Sequence, residues 1–285
     1  MRCDLHVHTI HSGMCTVPGL SRVCRESWND PRALYQTLKS RGMDLVTVTD
    51  HDSIDAVEEL RHHSDFFLSE EVTCTLPSGT EMHAGVYGIE EKDHIELQRR
   101  RHDIESLLAY ANQRRLFVTV NHLYSSLTGP RAESDFELFA RSFHGIETLN
   151  GQMLKKSNRM AGDFAQRFRK PAVAGSDSHT LHGAGRTWTE VRGAGTVGDF
   201  LRGVRHGRSI ADGESGDWWK LTVAVTDIGA TLIRVHPGAV LLSLLLPLVP
   251  VIILANYLRE HAFAWQWARK QRTPQSALAV PGVTL

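Results

Sequence analysis

Short apolar runs alternate with longer amphipathic segments over residues 1–215. The apolar runs have the length and the β-branched character of strands, and they lie at 3–8, 45–50, 66–73, 81–88, 116–122, 145–149 and 171–176. Helix-like segments lie between several of them, at 31–41, 53–62, 95–114, 133–142 and 157–169. Alternation of strands with helices is typical of a parallel sheet or an α/β barrel. The pattern predicts an α/β fold, and we expect the domain to occupy residues 1–212.

A long apolar run follows at residues 239–258, where AVLLSLLLPLVPVIILANYL contains no charge. About 20 apolar residues span the hydrocarbon core of a bilayer. We therefore expect a linker at 213–237 and a C-terminal apolar helical tail at 238–285 with a membrane segment at 239–258. The alternative is a pair of short buried helices that end at Pro247 and Pro250, because proline breaks a helix interior.

The charges around this run do not settle its orientation. Arg259, Arg269, Lys270 and Arg272 follow it, which places the tail in the cytoplasm by the positive-inside rule. The N-terminus lacks the apolar core of a signal peptide, so the N-terminal domain is expected in the cytoplasm as well. A proline-kinked hairpin in one leaflet reconciles the two, and a weak charge signal is the simpler explanation. The expected location is cytoplasmic, with membrane association through the C-terminus.

The amino-acid composition limits which kinds of ligand the chain is expected to bind. The 285 residues are 41% hydrophobic and 22% charged, as in folded soluble proteins, and 32 basic residues balance 32 acidic ones. This balance gives no net positive charge that would attract nucleic acid non-specifically. The arginine run at 99–101 is expected to be a solvent-exposed helix face, because no aromatic residues that could stack on bases lie among these arginines. His62, His63 and His94 are expected at the surface. The chain has 16 histidines and 4 cysteines, with no CxxC pair, so the cysteines are expected to be reduced and mostly buried. Nitrogen and oxygen ligands for metals are favoured.

Residues that can bind metals lie within or just after most of the apolar runs. They are Asp4, His6, His8, Asp50, His51, Glu70, Glu71, His83, Asn121, His122, Asp177 and His179. In α/β barrels the site forms at the carboxyl ends of the strands, so these side chains are expected to converge on one rim. A lone histidine such as His83 or His122 would more simply be a core or surface residue. The repeated placement on successive runs predicts a metal site.

These residues resemble the motifs of the polymerase-and-histidinol-phosphatase (PHP) family of metal-dependent phosphoesterases. The motifs are HxH at His6 and His8, TDH ending at His51, a glutamate in EVT, the histidine of EMH, NH, and GSDSH. The resemblance covers residues 3–212 and does not reach the apolar tail. It implies a distorted seven-stranded β/α barrel holding two or three divalent ions of zinc, manganese or iron.

The resemblance also implies the ligand sets. One ion is expected on His6, His8, Glu71 and Asp177. Glu71 is expected to bridge to a second ion on His83 and His122, and a third ion is expected on His51 and His179. Glu71 is preferred to Glu70 because it directly precedes Val-Thr, as in the family pattern. Strand alternation says only that one of the two glutamates faces inward.

The sequence departs from the family pattern at one point. Family members usually carry an aspartate or histidine five or six residues after HxH, and this residue completes the third metal site. The corresponding positions here are Gly13 and Met14. His11 or Cys15 are possible substitutes, and a two-metal enzyme is the alternative.

Other residues are expected to support the reaction. Asp4 and Asp50 are expected to accept hydrogen bonds from ligand imidazoles and fix their tautomers, although Asp50 also fits a helix cap or turn. Arg131 and Arg186 are candidates to neutralise charge on the phosphate, with solvated surface arginines as the alternative. Asn150 could face the same rim, outside the ligand set.

The expected function is hydrolysis of a phosphomonoester or phosphodiester by a metal-activated water, on a small phosphorylated molecule or nucleotide. An amidohydrolase-like hydrolase is one alternative, although such enzymes usually need a bridging lysine. A non-catalytic metal-binding module at the membrane is another. The tail favours a membrane-proximal substrate or partner, and deletion of residues 236–285 is expected to release the protein from membranes and leave catalysis intact.

Overall fold

The computed structural model describes residues 1–15 and 21–270, which form two β-sheets flanked by helices. The larger sheet is mixed and runs in the order β2–β3–β4–β5–β6. Its strands are β2 (Ser69–Thr75), β3 (Glu81–Tyr87), β4 (Phe117–Val120), β5 (Gly145–Asn150) and β6 (Ala172–Gly175). The β2/β3 and β3/β4 pairs are antiparallel, whereas β4/β5 and β5/β6 are parallel. The smaller sheet is antiparallel and contains β1 (Arg2–Cys3), β7 (Thr187–Val191) and β8 (Ser209–Gly213).

Helices connect and cover these strands. They are α1 (Pro31–Ser40), α2 (Val57–Leu60), α3 (Glu91–Arg100), α4 (Ile104–Arg114), α5 (Glu133–Ser142), α6 (Lys155–Arg167) and α7 (Val197–Arg205). Asp30 begins α1 by accepting a hydrogen bond from the Ala33 N–H, with Pro31 in the first turn. Asp103 caps α4 in the same way, from the Ser106 N–H. That cap divides the helix predicted over 95–114 into α3 and α4.

The α/β character predicted from the sequence is confirmed, but a seven-stranded barrel is not. In the described part of the chain no closed barrel is formed, because segments 3–8 and 45–51 join their neighbours through isolated hydrogen bonds. Thr49 N–H donates to the Val7 carbonyl at 2.9 Å, and Glu71 N–H donates to the Asp50 carbonyl at 3.2 Å. These segments are extended and lie between β6 and β2.

Side-chain oxygens explain this irregularity. The Val7 N–H donates to Thr49 Oγ1 at 3.0 Å, and the Thr9 N–H donates to Asp50 Oδ1 at 2.6 Å. Side chains of threonine and aspartate thereby satisfy amides that would otherwise bond to a neighbouring strand. The two segments therefore carry the expected residues without forming regular strands.

The chain beyond the second sheet is helical. Helix α8 (Trp218–Val235) lies within the predicted linker and is followed by a 3-10 helix (Pro237–Leu248) and α9 (Val249–Lys270). The Trp218 indole N–H donates to the Pro250 carbonyl at 3.0 Å, so α8 and the following segment fold back on each other as a hairpin. We call residues 218–250 the C-terminal hairpin.

An apolar C-terminal helix was predicted and is present. Residues Pro237–Lys270 are long and apolar enough to cross a membrane by length and composition, with a mean hydropathy of 2.6 over the most apolar window. Only 6% of that window is buried, and Leu241 and Leu244 are each 75% exposed. This exposure contradicts the alternative of short buried helices.

The end of α9 is different, because it packs on the α/β fold. Ala264 and Trp267 are buried in the same core as Phe136, and the Trp267 and Phe136 rings lie 4.4 Å apart. Glu260 is buried and accepts hydrogen bonds from the Ser126 N–H and hydroxyl. Deletion of residues 236–285 would uncover this core, so the expectation that such a deletion leaves catalysis intact does not follow from the structure.

Candidate metal centre

Four side chains from distant parts of the sequence point to one position. His6 and His8 lie on the extended segment after β1, Glu71 on β2, and Asp177 just after β6. His6 Nε2 lies 3.1 Å from Glu71 Oε2 and 3.4 Å from Asp177 Oδ1. His8 Nε2 lies 3.5 Å and 3.3 Å from the same two oxygens. The structure thus brings together the first ligand set expected from the sequence.

The donor atoms of this set are spaced as the ligands of a bound cation, and several of them make no hydrogen bond. His6 Nε2, His8 Nε2 and Glu71 Oε2 are buried and make no hydrogen bond within the described residues. For a tetrahedral ion with ligand bonds of about 2.1 Å, neighbouring ligand atoms lie about 3.4 Å apart. The separations of 3.1–3.5 Å match that spacing. Buried polar atoms without partners are costly, and a bound cation would satisfy all of them.

The second carboxylate oxygen of Glu71 faces a second group. Glu71 Oε1 lies 3.4 Å from His122 Nε2 and 3.6 Å from His83 Nδ1. The Asn121 amide also donates to this oxygen at 2.8 Å. Glu70 points away and contacts His94 and Gln98. Glu71 is therefore the glutamate positioned between two groups of imidazoles.

A third group was only partly anticipated. His51 Nε2 lies 3.6 Å from Glu26 Oε2, and His179 Nε2 lies 3.7 Å from Glu26 Oε1. Sequence analysis did not identify Glu26, because it lies in an irregular loop with no motif around it. His11 turns towards Glu59 instead, at 3.8 Å.

The tautomers of the first two histidines are fixed by buried partners. His6 Nδ1 lies 2.7 Å from Glu147 Oε1, and because a carboxylate only accepts, the proton resides on Nδ1 and the Nε2 lone pair faces the cluster. His8 Nδ1 lies 2.8 Å from the Ser12 hydroxyl, which itself donates to Asp50 Oδ1 at 3.0 Å. Asp50 therefore fixes His8 through Ser12, and not by direct contact as expected.

Asp4 also differs from the expectation. Its carboxylate accepts hydrogen bonds from the backbone N–H groups of His6, Ser176 and Gly185, at 3.2, 2.8 and 2.7 Å. No imidazole contacts it among the described hydrogen bonds. Burial raises the pKa of Asp4 to about 6, against the lowering effect of those donors. Asp4 thus holds the backbone that carries His6 and Asp177 in place.

Glu147 and Asn150 connect the separate segments of the centre. Glu147 Oε2 accepts hydrogen bonds from the His122 N–H at 2.7 Å and from Asn150 Nδ2 at 2.9 Å. Asn150 Nδ2 also donates to Asp177 Oδ2 at 3.0 Å. Sequence analysis missed Glu147, although a glutamate inside an otherwise apolar strand was a usable signal.

The two candidate arginines bond elsewhere. The Arg131 guanidinium is buried and donates to the Glu81 carbonyl at 2.8 Å and to Thr128 Oγ1 at 2.6 Å. Arg186 donates to the His182 carbonyl at 2.9 Å and pairs with Glu214 at 3.4 Å. Both lie on loops near the centre, but these contacts do not point their charges at its donor atoms.

Burial and charge favour the ligand forms of Glu71, His8 and His51, whereas neighbouring carboxylates outweigh burial and raise the pKa of His6 and His122. Burial alone would raise the pKa of Glu71, but the neighbouring His6, His51 and His83 imidazoles hold it well below its usual range. Burial lowers the pKa of His8 to about 4 and that of His51 well below its usual range. Ionised carboxylates and neutral imidazoles are the states that bind metals.

Backbone conformation adds to the arrangement. Asp177 and His122 both have positive φ, at 51° and 30°, in the left-handed region that residues with a side chain rarely adopt. Such conformations cluster at functional sites, where the surrounding structure holds them. Hydrogen bonds to Asn150 and Glu147 are the contacts that hold these two residues here.

One surface expectation is corrected by the structure. His94 was expected to be a solvated surface residue, but its Nδ1 lies 2.8 Å from Glu70 Oε2, which is fully buried. That hydrogen bond raises the pKa of His94. Arg99 is 69% exposed and pairs with Glu96, as expected for a solvated helix face.

Fold and site together define an α/β protein with a clustered histidine–carboxylate metal centre. A PHP-associated family model matches residues 155–209. Among curated proteins none matches the chain significantly. The described fold is similar to several solved structures.

One of them is a two-domain protein from Bacteroides vulgatus containing a predicted PHP-like metal-dependent phosphoesterase. It is 18% identical, with a TM-score of 0.53 and 75% of this chain and 65% of that chain covered. PsfC from Pseudomonas syringae is 17% identical, with a TM-score of 0.57, and the match covers 82% of this chain and 98% of PsfC. A lesion-specific endonuclease from Pyrococcus furiosus is 16% identical, with a TM-score of 0.52, and the match covers 74% of this chain and 58% of the endonuclease.

The chain spans less than two thirds of the Bacteroides and Pyrococcus proteins. At these identities the likeness to the solved structures concerns the fold. The PHP-associated segment and the similar folds agree with the resemblance of this chain to the PHP family.

Proposed function

We propose that this protein is a metal-dependent phosphoesterase that hydrolyses a phosphomonoester or phosphodiester. The observation that carries the proposal is Glu71, whose two carboxylate oxygens face different imidazoles: Oε2 lies near His6, His8 and His51, and Oε1 near His83 and His122. A shared carboxylate is the arrangement needed to hold two cations close together, and paired cations suit attack of water on phosphorus.

The chain's residues divide into ligands and positioning residues. His6, His8, Glu71 and Asp177 would hold one divalent ion, and Glu71, His83 and His122 a second. Bound ions of this kind supply Lewis-acid stabilisation and lower the pKa of water. Imidazole and carboxylate donors suit zinc, manganese or iron.

The remaining polar residues fix the orientation of these ligand side chains. Glu147 holds the proton on His6 Nδ1, and Asp50 acts on His8 through Ser12. Asp4 anchors the backbone between His6 and Ser176. Their contribution is to fix ligand geometry before substrate binds, which typically changes metal affinity or activity by about 10–100-fold.

We place this activity in residues 1–212, on a small phosphorylated molecule or nucleotide, and we propose that residues 239–258 associate with a membrane from the cytoplasmic side. The exposed leucines of this segment support membrane association, since a contiguous apolar surface in water is unfavourable. Free thiols at all four cysteines, which lie in the described chain, agree with a reducing compartment.

Metal analysis together with hydrolysis assays tests the function. Purified protein is expected to contain bound divalent ions and to hydrolyse a model phosphomonoester or phosphodiester, with loss of activity on chelation and recovery on metal addition. His6→Ala and Asp177→Ala should each lose activity by at least about 10³-fold, because each removes a donor of the first set. Activity that survives in both variants would overturn the proposal, and a metal-loaded but inactive wild type would favour a binding module.

A further inference from the structure

Glu26 reaches the metal centre by an unusual route. Residues 13–15 and 24–26 pair with each other, since the Cys15 N–H donates to the Cys24 carbonyl at 2.9 Å and the Glu26 N–H to the Gly13 carbonyl at 3.2 Å. Glu26 therefore lies directly beside Gly13. That is the position at which the resemblance leads us to expect an aspartate or histidine.

The loop that carries Glu26 is fastened to the centre. The Ser27 hydroxyl contacts the carbonyls of His8 and His179, at 3.1 and 3.2 Å, and Asn29 Nδ2 donates to the His8 carbonyl at 2.9 Å. Contacts from Ser27 and Asn29, one and three residues after Glu26, thus fix Glu26 relative to two histidines. The position of Glu26 is therefore determined by the contacts of its own loop.

The surroundings of the Glu26 carboxylate are those of a ligand. Its two oxygens face His51 Nε2 and His179 Nε2, at 3.6 and 3.7 Å, and His179 Nε2 is buried without a hydrogen bond in the described chain. The His8 and His179 rings stack at 4.3 Å, which brings this group next to the first ligand set.

We propose that Glu26 supplies the missing carboxylate of a third divalent-cation site, together with His51 and His179. This inference rests on the metal centre of the proposed function. Glu26, which lies 13 residues after Gly13 in the sequence but beside it in space, would thus take the place of the aspartate or histidine expected at Gly13.

Metal stoichiometry tests the assignment independently of activity. Wild type loaded with Mn²⁺ or Zn²⁺ and then dialysed is expected to hold three ions per chain, and Glu26→Gln about one fewer. His51→Ala should lose the same ion. Glu59→Gln is the matched control, because Glu59 contacts His11 and Arg32 outside the centre. Thermal melting checks that each variant is folded.

The outcomes separate the two hypotheses. Equal metal content in wild type and Glu26→Gln would overturn the assignment of Glu26 and leave the proposed function standing. A wild type that binds no divalent ion would overturn the proposed function itself. Loss of one ion in Glu26→Gln and in His51→Ala, with full content in Glu59→Gln, would support the third site.

A second inference rests on a different observation, the position of the C-terminal hairpin and α9. The hairpin meets the loop of Glu26 where the His236 and Trp28 rings lie 6.1 Å apart. Helix α9 meets the loop after His122 through the buried hydrogen bonds between Glu260 and Ser126. The apolar segment is therefore attached to the same loops that form the metal centre.

A groove lies between α8, the segment that follows it and the loop that carries His182. It has a volume of about 600 Å³ and is lined by Trp219, Val223, Ala230, Leu246 and Pro250, with Asp227 and His182 among the polar residues at its walls. His182 belongs to the loop that carries Asp177 and His179. One wall of the groove thus comes from the loop that also carries two candidate metal ligands.

We infer that the groove accepts the apolar chain of a phosphorylated amphiphile whose phosphate lies at the metal centre. This deepens the proposed function by naming the substrate class. The exposed leucines beside the groove, among them Leu241 and Leu244, fit a source of that amphiphile in a lipid bilayer.

Chain-length dependence tests this substrate class. The kcat/KM of hydrolysis is expected to rise from ethyl through hexyl to decyl phosphate, by about fourfold for each methylene that is buried. Ala230→Trp places a large ring in the groove and should flatten this dependence. Val225→Trp is the matched control on the exposed side of α8 and should preserve it.

Three results decide the inference. A flat dependence in wild type, with ethyl phosphate hydrolysed, would overturn the groove but not the phosphoesterase. No hydrolysis of any ester by metal-loaded protein would overturn the proposed function. Faster hydrolysis of decyl phosphate in phosphatidylcholine vesicles by wild type than by a Leu241→Asp, Leu244→Asp double variant would assign the substrate to the bilayer, and equal rates would reject that source.

Discussion

Glu71→Gln is expected to abolish hydrolysis, with a loss of at least about 10³-fold in kcat/KM and of two bound ions per chain. Both oxygens of this carboxylate face imidazoles, Oε2 towards His6 and Oε1 towards His122. An amide keeps the shape but removes the charge and presents a donor to one of these groups. The measurement is metal content by mass spectrometry, followed by steady-state kinetics on a model phosphoester.

Glu70→Gln is the control for this variant. Glu70 is the adjacent residue on β2 and is equally buried, but it contacts His94 and Gln98 on the other face of the strand. Its neutralisation should leave the metal content unchanged. Retention of both ions by Glu71→Gln, or equal losses in the two variants, would contradict the bridging position of Glu71.

Trp267→Ala is expected to lower the free energy of unfolding by about 3–5 kcal/mol, the usual cost of removing a large buried aromatic side chain. Trp267 is 3% exposed, lies against Phe136 at 4.4 Å between ring centroids and fills the core from α9. The measurement is urea denaturation followed by circular dichroism. A large loss would establish that the end of α9 is part of the α/β core.

Trp265→Ala provides the comparison two residues away. Trp265 is 56% exposed, and its main described contact is the Lys156 ammonium 3.5 Å from the ring centroid. Its removal should cost less than about 1 kcal/mol, the size of an exposed cation–π contact. Equal stabilities of the two variants would show that α9 does not dock as described.

Much of the centre was predictable because its residues lie at the ends of recognisable apolar runs. Period-two alternation predicted that His6 and His8 share a side, and His83 and His122 followed from their places on successive runs. Their convergence needed only the rule that strand ends meet at one rim. The choice between Glu70 and Glu71 could not be made from alternation and depended on the family resemblance.

Glu26 and Glu147 could not be predicted in the same way. The position of Glu26 depends on a loop that leaves and returns beside Gly13, and no local pattern encodes such a return. Glu147 acts on His6 across 141 residues of sequence. The positions of both depend on tertiary contacts that propensity and periodicity do not describe.

The fold was predicted at the level of its class and less well in its details. Segments 3–8 and 45–51 have strand-like sequences but give their amides to the side chains of Thr49 and Asp50. Helix α8 occupies the expected linker because its apolar residues pack against the segment that follows it. The exposed run at 239–258 was predicted from length and hydropathy alone.

The adjacent glutamates of β2 limit how such a centre can change. Seven successive β2–β3 residue pairs fix the register of the strand, from Ser69 with Tyr87 to Thr75 with Glu81. A single-residue insertion or deletion here would turn Glu70 inward and Glu71 outward, because each step along a strand reverses the face. Length variation is therefore tolerable only in connecting loops, such as the one between Gly13 and Glu26.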